Sequence, residues 1–198
     1  MLPNSNHKIY FASDFHLGIP NAEKSLNREK LLVKWLEMAE KDAKEIYLMG
    51  DLFDFWFEYK HTIPKGFTRF LGKLAQICDS GIPVNVFIGN HDMWMFGYLE
   101  TELGVNIIRE PIDIELNGKL FHLAHGDGLG PGDRGYKFIK KVFASKICQW
   151  LFARIHPNTG IGIANYWSKK SRLQEKQIPE FLGEDKEWLI QYCKEKLK

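Results

Sequence analysis

Four short clusters of oxygen and nitrogen donors recur along the chain: Asp14-Phe15-His16, Gly50-Asp51, Gly89-Asn90-His91-Asp92 and His125-Gly126-Asp127. Each follows a short apolar run that reads as a strand, so all four are expected on one edge of a sheet. Carboxylate, amide oxygen and neutral imidazole together suit a pair of divalent cations such as Mn²⁺, Fe²⁺ or Zn²⁺. Ca²⁺ would want an all-oxygen shell, and a structural zinc would want thiolates. Two cations that share a carboxylate are suited to phosphate-ester hydrolysis. The spacing adds detail. Asp14 and His16 stand at i and i+2, which in an extended strand end puts both side chains on one face while Phe15 turns into the core. Gly50 and Gly89 directly precede Asp51 and Asn90, where glycine lets the backbone turn sharply.

These segments, DFH, GD, GNHD and HGD, resemble the signature of the calcineurin-like metallophosphoesterases over about Ile9 to Asp127. The longer stretches GDLFDFWF and HGDGLGPGDRGYKFIKKVF resemble the UDP-2,3-diacylglucosamine pyrophosphohydrolases of lipid A biosynthesis, with similarity extending to about Arg172. The resemblance implies two divalent ions, Mn²⁺ in this family. Asp51 is expected to be shared between them, with Asp14 and His16 completing one shell and Asn90 and His125 serving the other. His91 and Asp92 are the expected catalytic pair: His91 would contact the phosphoryl oxygens or protonate the leaving oxygen, and Asp92 would orient His91 or cap the following helix. Asn90, His91, Asp133, Arg134 and Tyr136 are expected against the substrate headgroup, with Asn165, Lys169 and Arg172 opposite them. The implied reaction splits the pyrophosphate of a UDP-sugar lipid into a lipid monophosphate and UMP. The alternatives are a phosphoesterase acting on another phosphate ester, or an inactive form. Two departures stand out. The familiar lipid A enzymes carry Arg in a GNRD motif where this chain has His91, and no Gly-His-x-His follows His156, so the chain is expected to continue past Lys198.

Elements able to hold these donors are legible around them. Strands are expected at 8–13, 45–50, 84–89, 105–108, 112–116 and 119–125, and helices at 25–43, 66–80 and 92–103. In the first helix Leu31, Leu32, Trp35, Leu36, Met38 and Ala39 approximate one buried stripe, with Glu29, Lys30, Lys34 and Glu37 outside it. Strand–helix alternation implies parallel strands covered by helices. Asn117-Gly118 in ELNGKL marks a tight hairpin, so the later strands are expected to be antiparallel. The fold class is therefore α/β with a mixed sheet, which the family resemblance sharpens to an α/β/β/α sandwich with an inserted helical lid. The expected organisation is a core at 1–129, a lid at 130–175 and a C-terminal helix of the core at 176–198.

From Pro131 to Arg172 the texture turns helical, basic and aromatic, with Pro157-Asn158-Thr159-Gly160 as a break. Lys137, Lys140, Lys141, Lys146 and Arg154 accompany Phe138, Val142, Phe143, Trp150, Leu151 and Phe152. Basic and apolar faces side by side suit an acylated anionic substrate or a membrane interface; an ordinary surface helix is the competing reading.

The remaining histidines carry no such pattern. His122 is expected to be packed, and His7, His61 and His156 to be structural or at the surface. Asp127 is a candidate partner of His125, and Asp54 has no assigned role.

Composition is consistent with this reading. The 198 residues, 44% hydrophobic, can bury one sizeable core. A net charge of +2 gives no pull toward nucleic acid, and no obligate protein partner is readable. Three widely spaced cysteines without a CxxC point to reduced thiols. No apolar run approaches a membrane span, and the first residues lack the apolar stretch of a signal peptide. The expected location is the cytoplasm, peripherally at the inner-membrane surface.

Overall fold

The computed structural model describes residues 8–175, 181 and 183–197, without the side chains of Lys169 and residues 171–175. Contacts divide the chain into two compact units, Met1–Glu110 and Pro111–Lys198.

The first unit alternates strand and helix: β1 (Lys8–Ala12), α1 (Ala22–Ala39), β2 (Ala43–Leu48), α2 (Thr68–Asp79), β3 (Val84–Phe87), α3 (Tyr98–Leu103) and β4 (Asn106–Ile108). The four strands pair in parallel in the order β1-β2-β3-β4. That is the arrangement expected where each strand returns through a helical crossover. Ile46, Leu48, Val84 and Val86 supply the buried sheet face, packed with Leu36, Phe53, Trp56, Phe70, Leu74 and Ile77.

Helix α1 starts where Asn21 accepts a hydrogen bond from the Lys24 backbone N–H, a capping role its side chain favours. Its inward stripe differs from the sequence expectation. Leu31 and Met38 are exposed, while Ser25 and Glu29 are buried with Leu36 and Ala39. Glu29 goes inside because its Oε1 accepts the Arg69 and Phe70 N–H groups at 2.7 and 3.2 Å. It thus caps α2 from another helix, where the local N-cap residue Phe67 offers no acceptor. The capping bonds and the helix-end field offset the burial of a carboxylate there.

The helix expected over 92–103 is shorter. Residues 92–97 form a loop that bridges to Phe57 through Trp94, and only Tyr98–Leu103 is helical. Gly97, at φ 144°, is the N-cap residue, a conformation open to glycine that other residues avoid.

The second unit opens with an antiparallel hairpin, β5 (Ile112–Leu116) and β6 (Lys119–Leu123), turning at Asn117 and Gly118 with φ 52° and 75°. Positive φ at both central residues suits the twist of a two-residue hairpin. The expected parallel strands and antiparallel hairpin are both present, in separate sheets. Helices α4 (Arg134–Ala144), α5 (Lys146–Phe152), α6 (Pro157–Glu175) and α7 (Trp188–Lys196) follow. The expected break at 157–160 falls instead on 153–156, because Pro157 opens α6, where its missing N–H costs nothing. The anticipated C-terminal segment 176–198 lies partly outside the described residues, as does His7; its described part carries α7. No described helix is long and apolar enough to cross a membrane.

Candidate active site

The donors of the first unit sit on three loops at the carboxyl ends of β1, β2 and β3. Two of these loops run side by side. Asp14 N–H donates to Gly50 O at 3.1 Å, His16 N–H to Asp51 O at 2.9 Å and Leu17 N–H to Leu52 O at 2.9 Å. The parallel ladder therefore continues past the strands, but in a different backbone conformation. Asp14, His16 and Asp51 all have positive φ, at 59°, 45° and 54°. The extended geometry expected for Asp14 and His16 is replaced by left-handed turns, which non-glycine residues adopt at a cost and which concentrate at functional sites. Phe15 does turn inward, packing edge-on against Phe70 at 5.8 Å.

The outcome is convergence. His16 Nε2 lies 3.7 Å from both Asp14 Oδ1 and Asp51 Oδ2. That separation is too long for a hydrogen bond, whereas donors about 2.0–2.2 Å from a shared ion stand roughly this far apart. Asp14, His16 and Asp51 form one such group, and His16, Asp54 and His91 a second, with the donor atoms of each within 4.8 Å of one another. Imidazoles mixed with carboxylates are the donor set of a borderline divalent cation, so the residues present fit a metal.

Asp54 is the residue that sequence reasoning left unassigned. It is 3% exposed although it stands within Leu52-Phe53-Asp54-Phe55-Trp56-Phe57. A carboxylate inside such an apolar run was the available signal, since it must be partnered wherever it is buried. The Asp54 backbone carbonyl also meets His91 Nδ1 at 3.0 Å. A carbonyl only accepts, so Nδ1 carries the proton and Nε2 is the ring atom left for chemistry. The His16 and His91 rings meet edge to face at 4.9 Å.

Asp92 neither caps a helix nor holds the His91 ring. Fully buried, it accepts backbone N–H bonds from Gly89 (2.8 Å), Leu52 (2.7 Å), Phe53 (3.3 Å) and Asp51 (3.3 Å). It pins the third loop to the second. Burial, and then the Asp51 charge, push its carboxyl up to about 6 against the pull of those N–H bonds. Gly89 is required by space more than by a turn, for a Cβ there would stand 2.1 Å from Asp51 Oδ1. Asp51 Oδ1 in turn accepts the His91 backbone N–H at 3.0 Å. Arg28 secures the first loop, its Nη1 donating to the carbonyls of Phe15, His16 and Ile19 at 3.0, 2.8 and 3.3 Å.

The other expected site residues are placed as follows. Asn90 is half-buried between Gly89 and His91. His125, in the second unit, stands two residues beyond the end of β6 and is half-buried. Asp127 is tied to α4, accepting the Tyr136 hydroxyl at 2.5 Å and Lys140 Nζ at 2.7 Å. Asp133 caps α4 by accepting the Tyr136 N–H. Arg134 and Asn165 are exposed on α4 and α6, and the side chains of Lys169 and Arg172 lie outside the described residues. His122 is more than packed: its Nδ1 meets Asp113 Oδ1 at 2.6 Å and its Nε2 meets the Tyr192 hydroxyl at 2.8 Å. The hydrogen bond from His122 holds the Asp113 carboxyl below its ordinary value.

The calcineurin-like phosphoesterase family matches residues 7–177 of this chain. The UDP-2,3-diacylglucosamine hydrolase of Porphyromonas gingivalis is 43% identical over 200 residues, covering 95% of this chain and 76% of that protein. The enzyme of the same name from Actinobacillus succinogenes is 29% identical over 167 residues, covering 84% of this chain and 69% of its own.

Proposed function

Because this chain belongs to the calcineurin-like phosphoesterase family, we propose that it is a metal-dependent hydrolase that splits the pyrophosphate of UDP-2,3-diacylglucosamine into 2,3-diacylglucosamine 1-phosphate and UMP. The observation that carries the reading is the convergence of Asp14, His16 and Asp51 at strand ends, in a chain 43% identical to a protein of that name.

Asp14, His16 and Asp51 would hold one divalent cation, Mn²⁺ in our reading, and Asp51 with Asn90 would serve a second. Bound there, the cations supply positive charge beside the phosphate, where negative charge grows during displacement. The side chains do the rest. Asp92 holds the Asp51 backbone, the His91 N–H and the space left by Gly89 keep the Asp51 carboxylate in one place, and Arg28 keeps the His16 backbone in one place. As an imidazolium, His91 donates Nε2–H to the departing lipid-phosphate oxygen. Giving up that proton leaves the Nδ1–H tautomer that the Asp54 carbonyl selects. The oxygen of one water ends on the α-phosphorus as part of UMP, the bond from that phosphorus to the bridging oxygen breaks, and the proton the water loses replaces the one His91 gave up.

The helices of the second unit suit an acylated substrate presented at a membrane. No residue of α4 or α5 is buried, and Phe138, Ile139, Ile147, Trp150 and Leu151 are exposed there beside Lys141 and Lys146. Apolar area next to cationic groups favours an anionic lipid surface, which supports peripheral attachment at the cytoplasmic side of the inner membrane. UMP release from UDP-2,3-diacylglucosamine, followed with and without chelator, tests the function. Metal-dependent turnover is expected; hydrolysis of simple phosphodiesters with none of the UDP lipid would assign a general phosphoesterase instead. Sedimentation with anionic vesicles tests the attachment.

A further inference from the structure

A cleft of about 690 Å³ opens in the first unit where the loop after Asp54 meets the loop after His91, lined by Glu58, Tyr59, Lys60, His61, Phe96 and Tyr98 among others. Its size falls within the roughly 300–1,000 Å³ of small-molecule sites. We propose that this cleft is the nucleotide subsite, taking the uracil ring and ribose of the substrate's UMP half. The inference rests on the function proposed above and adds a place for the half of the substrate that carries no acyl chain.

Three observations carry it. The first is reach. Glu58 is four residues beyond Asp54 and Phe96 five beyond His91, so even fully extended arms hold the cleft's near wall within about 14 and 18 Å of the donor groups. A nucleotide whose phosphate sits at the donors would extend along these arms. The second is preorganisation. Glu58 N–H donates to Trp94 O at 3.3 Å, and its carboxylate accepts Trp56 Nε1–H (3.1 Å), Phe96 N–H (2.5 Å) and Tyr98 N–H (3.0 Å). Tyr59 N–H closes the far turn on Thr62 O at 3.0 Å. The two arms are thereby clamped together, and the Glu58 carboxylate is taken up in doing so.

The third is the chemistry of the walls. Phe96 presents a ring that is 45% exposed although its edge packs on Phe57 at 5.5 Å, and Tyr98 stands two residues on. A flat base stacks on such a surface. Lys60 is exposed among the lining residues, and its positive charge favours an anionic ligand. An acyl chain would instead bring its methylenes against Lys60, His61 and Thr62.

Calorimetric titration of UMP and of ribose 5-phosphate, which lacks the base, into wild type, Phe96→Ala and Lys60→Glu tests the assignment; both substitutions are at exposed side chains. Phe96→Ala is expected to weaken UMP by about 5- to 150-fold, the range for loss of one base–aromatic stack, and to leave ribose 5-phosphate unchanged. Lys60→Glu is expected to weaken both ligands by up to about fivefold, as an exposed ion pair would. UMP affinity unchanged in Phe96→Ala, or an equal loss for both ligands, overturns the subsite. Turnover of UDP-2,3-diacylglucosamine by the wild type reports separately on the premise. Turnover with an unaffected Phe96→Ala overturns the cleft alone, and absent turnover overturns the function beneath it.

Discussion

Adding one methyl group at Gly89 tests whether the Asp51 carboxylate is held where the site needs it. A Cβ on Gly89 would lie 2.1 Å from Asp51 Oδ1, 2.5 Å from Asp51 N and 2.8 Å from Asp51 Cγ. Ordinary contact begins near 3.4 Å, so the carboxylate must retreat by about 1 Å or the loop must move. Neither is easy. Asp51 N–H is bound to Asp92 Oδ1, Oδ1 accepts the His91 N–H, and Asp51 O accepts the His16 N–H. Overpacking of this kind costs about 1–3 kcal/mol, which for a chain of this size lowers Tm by roughly 2–12 °C. A displacement of about 1 Å at a reacting centre costs on the order of 10²-fold in rate. Gly89→Ala is therefore expected to fold, melt earlier, bind divalent metal more weakly and lose about 10²-fold in kcat/KM. Gly72→Ala is the control: within α2, with nothing inside 4 Å of the new Cβ, it should gain about 0.5–1 kcal/mol and keep its activity. Thermal melts, calorimetric metal titration and UMP release measure all three quantities. A folded Gly89→Ala protein with wild-type metal affinity and turnover would refute the confinement of Asp51.

Other substitutions probe the remaining parts. Asp51→Ala should lose more than about 100-fold in metal affinity, since losing even an outer partner of a ligand costs about 10–100-fold; metal analysis after gel filtration decides it, and full retention would remove Asp51 from the donor set. His91→Ala should keep the cation held by Asp14, His16 and Asp51 while kcat falls by roughly 10²–10⁴, and loss of that cation would make His91 a ligand instead. Arg28→Ala releases three carbonyls around His16 and should lower stability by about 1–3 kcal/mol together with metal affinity, whereas Arg28→Lys should restore part of both; denaturant melts and titration measure them. Trp150→Asp, at a side chain 57% exposed on α5, should raise KM for a diacylated UDP-sugar and leave an acyl-free phosphodiester within about threefold; equal losses on both substrates would make Trp150 merely structural.

The chain's own chemistry determined which residues can serve as donors and roughly where they stand. Asp14, His16 and Asp51 follow short apolar runs whose length reads as strand, and Asn117-Gly118 turns a hairpin because few other dipeptides tolerate two positive φ angles. Those are local properties, set by side-chain type and by periodicity over a few residues. What tertiary structure decided is everything that depends on two loops meeting. Asp54 and His91, 37 residues apart, share a hydrogen bond, so the same contact sets the tautomer of the histidine and brings a carboxylate out of an aromatic run into the site. Asp92 looks like a helix cap in sequence, yet the helix begins only at Tyr98, and its carboxylate is spent instead on backbone N–H groups up to 41 residues away. Glu29 sits in the polar register of α1 but is buried, because the uncapped start of α2 lies against it. For Asp92 and Glu29 the buried carboxylate is tolerable because orphan N–H groups from a distant segment arrive to satisfy it, and that arrival is a fact of packing which no local pattern encodes.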